Sequence, residues 1–89
     1  MKISDHAQKQ ASRRSVNEKD IDYVLDHGVF GHQRNGRTFY FCGEDAALKS
    51  ARNLAVIQAA DGTIITVVRT RDLKRLRSGG AFGSAFHVS

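Results

Sequence analysis

An α+β domain, with two N-terminal helices packed on a four-stranded antiparallel sheet, is the fold this sequence predicts, on three observations. Two segments with polar caps and helical spacing come first. Two hairpin signals follow, Asn35-Gly36 and Asp61-Gly62, each between runs of strand-forming residues. The most uniformly hydrophobic stretch of the chain, Asn53–Thr70, is the second of these hairpins, so the core is expected there. The order is α-α-β-β-(α)-β-β, with residues 1–77 as one domain and residues 78–89 as a flexible C-terminal tail.

Ser4 or Asp5 can cap a first helix running to about Arg14, because either side chain can accept from the free amides of the first turn. At 100° per residue, His6, Lys9, Gln10, Arg13 and Arg14 share an arc of about 140°. The apolar side holds only Ala7 and Ala11, so this helix can approach its support closely but buries little. Asn17 is a good cap for a second helix, Glu18 to His27, with Ile21, Val24 and Leu25 forming its apolar stripe. Gly28 then stands where a left-handed C′ residue is expected.

Val29–Arg34 and Arg37–Cys42 flank the Asn35-Gly36 turn. A two-residue turn puts Phe30, His32, Phe39 and Phe41 on one face, which should bury against the helices. The face carrying Tyr40 is then expected to be partly open. Glu44–Ser50 can form a turn or two of helix. In the Asp61-Gly62 hairpin, a two-residue turn pairs Gln58 with Ile65, Val56 with Val67 and Leu54 with Arg69. Ile57, Ala59, Ile64, Thr66 and Val68 take the other face. Both faces are largely apolar, which favours a central position in the sheet over its rim. Arg71–Arg77 can make a short basic helix, and Ser78–Ser89 is Gly/Ser-rich without periodicity.

The 89 residues suit one small domain. No apolar run reaches the length of a membrane span, and no apolar leader follows Met1, so a membrane association is not expected. Cys42 is the only cysteine, which fits a reducing, cytoplasmic setting. The net charge of +5 is unevenly spread. Residues 18–28 hold four acids and one base, leaving thirteen bases against five acids in the rest of the chain. A basic body with one acidic helix points to a polyanion on one side and a basic partner on another, although ordinary surface solvation produces the same pattern.

The histidines and Cys42 lack metal-ligand spacing, so neither a metal nor another cofactor is expected. Cys42 reads as packing rather than as a nucleophile. What remains is the stripe on the first helix with the charged ends of the strands. His6 titrates near neutrality and can move a proton. Arg13, Arg14, Arg69 and Lys49 can hold phosphates, with Lys9 and Arg52 adding charge beside them. Tyr40 can donate a hydrogen bond or stack on a base. Metal-independent RNA cleavage needs such a set: a proton acceptor for the 2′-hydroxyl, a cation for the phosphorane and a proton donor for the leaving oxygen. Each residue also has a plain structural role open to it, as an exposed helix residue or a sheet packer.

His6-Ala7, Arg14-Ser15-Val16-Asn17, Asp20-Ile21 and Val24-Leu25-Asp26-His27-Gly28, followed by Arg52–Ile57 and Asp61–Arg69, occur in this order over about residues 3–70. The succession resembles an uncharacterised bacterial family, a domain of unknown function with a His-Ala…Arg-Gly-Ile signature. Gln10 stands where that pattern has arginine, and Ser15 where it has glycine. The family is grouped with the barnase–EndoU–colicin–RelE fold of ribonucleases and toxins. The resemblance implies a helix-pair-plus-sheet architecture and RNA cleavage. With the residue chemistry above, the expectation is a toxin-type, metal-independent endoribonuclease acting on RNA, with His6 as general base or acid, Arg14 and Arg69 as phosphate holders and Tyr40 beside them. Lys9, Arg13, Lys49 and Arg52 would bind the rest of the strand, and an antitoxin or other protein would be a partner. A non-catalytic RNA- or protein-binding module of the same fold is the alternative.

Overall fold

In the computed structural model, which describes residues 1–33, 35–71 and 86–88, both helices begin where the capping residues place them. Helix α1 spans Asp5–Arg13, and Ser4 Oγ accepts from the Ala7 N–H at 3.1 Å. Its buried residues are Ala7 and Ala11 alone, which lets the helix axis lie close to the sheet. Ser15 ends the segment in the left-handed region at φ 54°. Helix α2 spans Glu18–His27 behind a reciprocal cap: Asn17 Oδ1 accepts from the Asp20 N–H at 3.1 Å, and Asp20 Oδ2 accepts from the Asn17 N–H at 2.9 Å. Gly28 is not left-handed as expected; its φ is −75°. Space is what requires glycine here, since a Cβ would lie 2.6 Å from the Val24 carbonyl oxygen and 2.8 Å from that of Phe41.

Strands β1 (Val29–Gln33), β2 (Thr38–Cys42), β3 (Leu54–Gln58) and β4 (Ile64–Arg69) form the antiparallel sheet, and β5 (Phe86–Val88) pairs with β1. The spatial order is β4-β3-β2-β1-β5. The expected Glu44–Ser50 helix reduces to one 3₁₀ turn, Lys49–Ala51. Residues 72–77, where a basic helix is expected, lie outside the described residues. So does most of the expected tail, from which the strand Phe86–Val88 is described.

The hairpin loops are one residue longer than a two-residue turn. Gln33 N–H bonds to Arg37 O at 2.8 Å and Ala59 N–H to Thr63 O at 2.8 Å, so each loop holds three residues and closes on a left-handed glycine. These are Gly36 at φ 81° and Gly62 at φ 92°. In the second loop the Asp61 carboxylate accepts from the Thr63 N–H at 2.9 Å. Bonds from the Thr63 backbone and hydroxyl hold the Asp61 carboxyl below its ordinary range. Its contribution to stability is therefore present above the unfolded-state value and is lost as pH falls through the folded one.

The longer loop slips the first hairpin by one residue. Phe30 lies opposite Tyr40 and His32 opposite Thr38, so β1 shows Phe30 and His32 on the Tyr40 face rather than on that of Phe39 and Phe41. In the second hairpin a bulge between Ile57 and Gln58 cancels the slip: Gln58 pairs with Ile64, whereas Val56 with Val67 and Leu54 with Arg69 keep the expected register. Ile64 and Ile65 thereby exchange faces relative to the expectation.

The core has two sides. Ile64, Val67, Leu54, Val56 and Cys42 meet Ala7, Ala11, Ile21 and Val24 of the helices. Phe39, Phe41, Ala55 and Ile57, with Ile65 and Val68, cluster on the opposite face, so the phenylalanines of β2 do not bury against the helices. Strand β4 sits at the rim, not the centre. Its outer edge is partly closed by the N-terminus, where Ile64 N–H bonds to Lys2 O at 2.8 Å and Ser4 N–H to Ile64 O at 2.9 Å. Among the described residues no helix is long and apolar enough to cross a membrane.

Two substitutions test this packing. Ile64→Ala should cost about 2–5 kcal/mol in denaturant unfolding, against about 1 kcal/mol for the partly buried Ile65→Ala. Equal losses would place both isoleucines on one footing and contradict the bulge. Ser15→Gly should stabilise the domain by about 0.5–1 kcal/mol, because it removes a Cβ from a left-handed residue.

Candidate functional site

The exposed stripe of α1 is real: His6, Lys9, Arg13 and Arg14 are all open to solvent, and none forms an ion pair among the described residues. Gln10, in the same arc, turns inward instead. Its Oε1 accepts from the Val67 N–H at 2.9 Å and so caps an edge amide of β4. The Ser4–Ile64 and Gln10–Val67 bonds also show that α1 runs alongside β4 in the same direction. Arg13 and Arg14 therefore lie toward the Arg69 end of the strand and His6 toward the Ile64 end. Arg14 stands about 12 Å further along the helix axis than His6.

Arg69 and Arg52 have partners within the chain. Arg69 Nη1 donates to the Arg52 carbonyl at 2.9 Å and its Nη2 to the Ser50 carbonyl at 2.8 Å. Arg52 Nε donates to the Ala46 carbonyl at 2.8 Å. Ser50 in turn donates its hydroxyl to Asp20 Oδ1, and Asp20 is only 2% exposed. These bonds join the first turn of α2, the 3₁₀ turn and the end of β4. Lys49, in that 3₁₀ turn, is exposed. Tyr40 lies on β2 with β3 between it and β4, about 10 Å from the α1 side of the sheet by strand spacing. The eight expected site residues thus divide into an open cationic helix face, a pair of arginine clamps, the exposed Lys49 and a separate tyrosine.

That tyrosine has Phe30 and His32 as neighbours, the two residues expected on the buried face. Tyr40 Oη donates to Gln58 Oε1 at 3.2 Å, and Gln58 Nε2 donates to the Gly62 carbonyl at 3.1 Å. The Phe30 ring sits 6.3 Å from that of Tyr40 and meets His32 edge-on at 5.8 Å. His32 Nδ1 and Thr38 Oγ1 are 3.3 Å apart. The helices pack chiefly on β2, β3 and β4, so among the described residues no helix covers the β1 half of this face, and Phe30 is 42% exposed. The longer hairpin loop is the signal that would have revealed this grouping, since it alone moves Phe30 and His32 to the Tyr40 side.

A cleft of about 410 Å³ lies at the other end of the sheet, between Tyr23, His27, Phe41, Cys42 and Asp45. Burial, and then the Asp45 charge, push the Cys42 thiol above its ordinary range, so it stays protonated and is a poor nucleophile. No three His, Cys, Asp or Glu side chains come together to hold a metal among the described residues.

The family model for DUF4258, a domain of unknown function, matches residues 3–69. The chain belongs to this family. The DUF4258 match takes in both helices and β1 to β4, and with them every candidate residue above. No curated protein and no solved structure shows a significant match to the chain.

The role of Gln10 gives a direct test of this DUF4258 domain. An arginine there cannot accept from the Val67 amide, so Gln10→Arg should cost about 1–2 kcal/mol in thermal or denaturant unfolding. Unchanged stability would mean that the carboxamide does not hold the edge.

Proposed function

We propose that this domain binds RNA as a member of the barnase–EndoU–colicin–RelE fold. The observation that carries the reading is the face of α1, where His6, Lys9, Arg13 and Arg14 are exposed together without acidic partners among the described residues. Such a face attracts a polyanion and gains affinity as condensed counterions leave it. Binding, rather than cleavage, is favoured because Arg69 is bonded to two carbonyls and Tyr40 lies across the sheet from α1.

Toxin-type, metal-independent endoribonuclease activity in the cytoplasm is the second reading. It is favoured by the presence of one exposed imidazole, His6, on the cationic face. In it His6 takes the proton from the 2′-hydroxyl, and the 2′-oxygen attacks the adjacent phosphorus to leave a 2′,3′-cyclic phosphate. The departing 5′-oxygen takes a proton from water, and the cations of the stripe, Lys9 nearest and Arg14 beyond it, offset the phosphorane charge. An antitoxin or other basic protein would then meet Glu18, Asp22 and Asp26, the exposed acids of α2.

Salt titration of RNA affinity separates these readings from a protein-only role. Arg13→Ala and Arg14→Ala should each lower the log–log salt slope by roughly one. Absence of RNA binding at about 50 mM salt, where phosphate contacts are strong, would overturn the proposal. Cleavage in the presence of a chelator, reduced about 10²-fold or more by His6→Ala at retained affinity, would establish the second reading over the first.

A further inference from the structure

We infer that the open half of the helix-side sheet face, formed by Phe30, His32, Thr38, Tyr40 and Gln58, is a binding site for one unpaired nucleobase. The inference rests on the RNA reading above and adds to it where the base goes.

The register of the first hairpin brings these side chains together on neighbouring strands, as the pairs Phe30 with Tyr40, His32 with Thr38, and Thr38 with Gln58 show. Phe30 offers an exposed ring at the centre, flanked by a phenol and an imidazole. An aromatic surface on a sheet is a platform on which a base can stack, whatever its identity, because every base has a π-face.

The polar groups around the ring are held in place and retain bonding capacity. The Gly62 carbonyl fixes the orientation of the Gln58 carboxamide, since only the amide nitrogen can donate to it. Its Oε1, already accepting from Tyr40, has a second lone pair, and its Nε2 has a second hydrogen. An acceptor and a donor therefore stand side by side, the arrangement that reads the edge of a base. His32 Nδ1 faces Thr38, and among the described residues its Nε2 makes no bond.

No acid belongs to the group, and Arg37 is exposed at the tip of the same hairpin. The exposed Asp61 carboxylate lies beside Gly62 at the Gln58 edge, so a negatively charged backbone is favoured on the Arg37 side of the patch. A paired base has its face covered by its neighbours in the duplex, so the ligand is single-stranded.

The test compares a labelled single-stranded RNA decamer with an abasic oligomer of equal length and charge, by fluorescence anisotropy at about 50 mM salt. The abasic oligomer should bind about tenfold or more weakly. Phe30→Ala, checked for folding by circular dichroism, should bring the RNA down to the abasic level and leave the salt slope as it is. Arg13→Ala should lower the slope for both oligomers. Equal affinity for the two oligomers overturns the base site while leaving phosphate binding in place. An abasic deficit that survives Phe30→Ala puts the base elsewhere and equally overturns the site. Binding of neither oligomer removes the RNA reading and this inference with it. If Phe30→Ala changes only self-association, the patch is a protein surface and the inference fails.

Discussion

Two glycines with positive φ, Gly36 and Gly62, control which side chains the sheet presents to the helices. Each closes a three-residue loop, and each loop displaces its strand pair by one residue from a two-residue turn. In a strand, a one-residue displacement moves every side chain to the other face. The first hairpin accepts that displacement and opens Phe30 and His32 on the helix side. The second corrects it with a bulge, so Leu54, Val56 and Val67 still reach the helices and Ile64 joins them. The core and the exposed aromatic patch are therefore outcomes of the same local geometry, resolved differently in the two hairpins.

Around that sheet, polar side chains serve as connectors. Asp20 caps α2 with one carboxylate oxygen and accepts from Ser50 with the other, while the Ser50 carbonyl accepts from Arg69. A carboxylate with so little exposure would be costly to hold without both partners, so α2 and the 3₁₀ turn are fixed relative to each other. Gln10 does comparable work for α1 by pairing the Val67 amide at the sheet's rim. These bonds explain how a helix burying only two alanines stays in place. They also keep its basic face directed outward.

The parts of the fold that depend on neighbours in sequence were legible. Asn17 and Ser4 cap helices because their side chains reach amides a few residues on, and the period of Ile21, Val24 and Leu25 follows from helix geometry alone. The exposure of Lys9 and Arg13 was legible for the same reason. The hairpin register was not, because Asn-Gly and Asp-Gly suit a two-residue turn and also the end of a three-residue one. The choice between Ile64 and Ile65 was equally hidden: adjacent isoleucines fit either face until a bulge selects one. Arg52 and Arg69 looked like free cations because their partners are carbonyls of the connector, and carbonyls leave no trace in sequence.

This division bears on how an RNA strand and the domain could meet. The cations of α1 are distributed along a helix, and so suit successive phosphates better than a single reacting one. Phe30 and His32 of the aromatic patch lie on β1, with β2 and β3 between them and β4, while Gln58 carries the patch to the strand next to β4. A strand touching both would run across the end of the sheet nearest the Gly62 turn, where Gln58, Ile64 and Ile3 lie in one row. His6, near the start of α1, is at that end, whereas Arg14 and Arg69 are not. The imidazole therefore lies at the end of the basic stripe nearer the Gly62 turn. Any proton transfer by His6 would then involve a phosphate near the Gly62 end, with Lys9 as the nearer cation of the stripe. The exposed cations thus stand together on α1, while Arg69 is tied to two carbonyls and Tyr40 lies on β2, so the four residues expected at one phosphate do not converge on one end of the sheet.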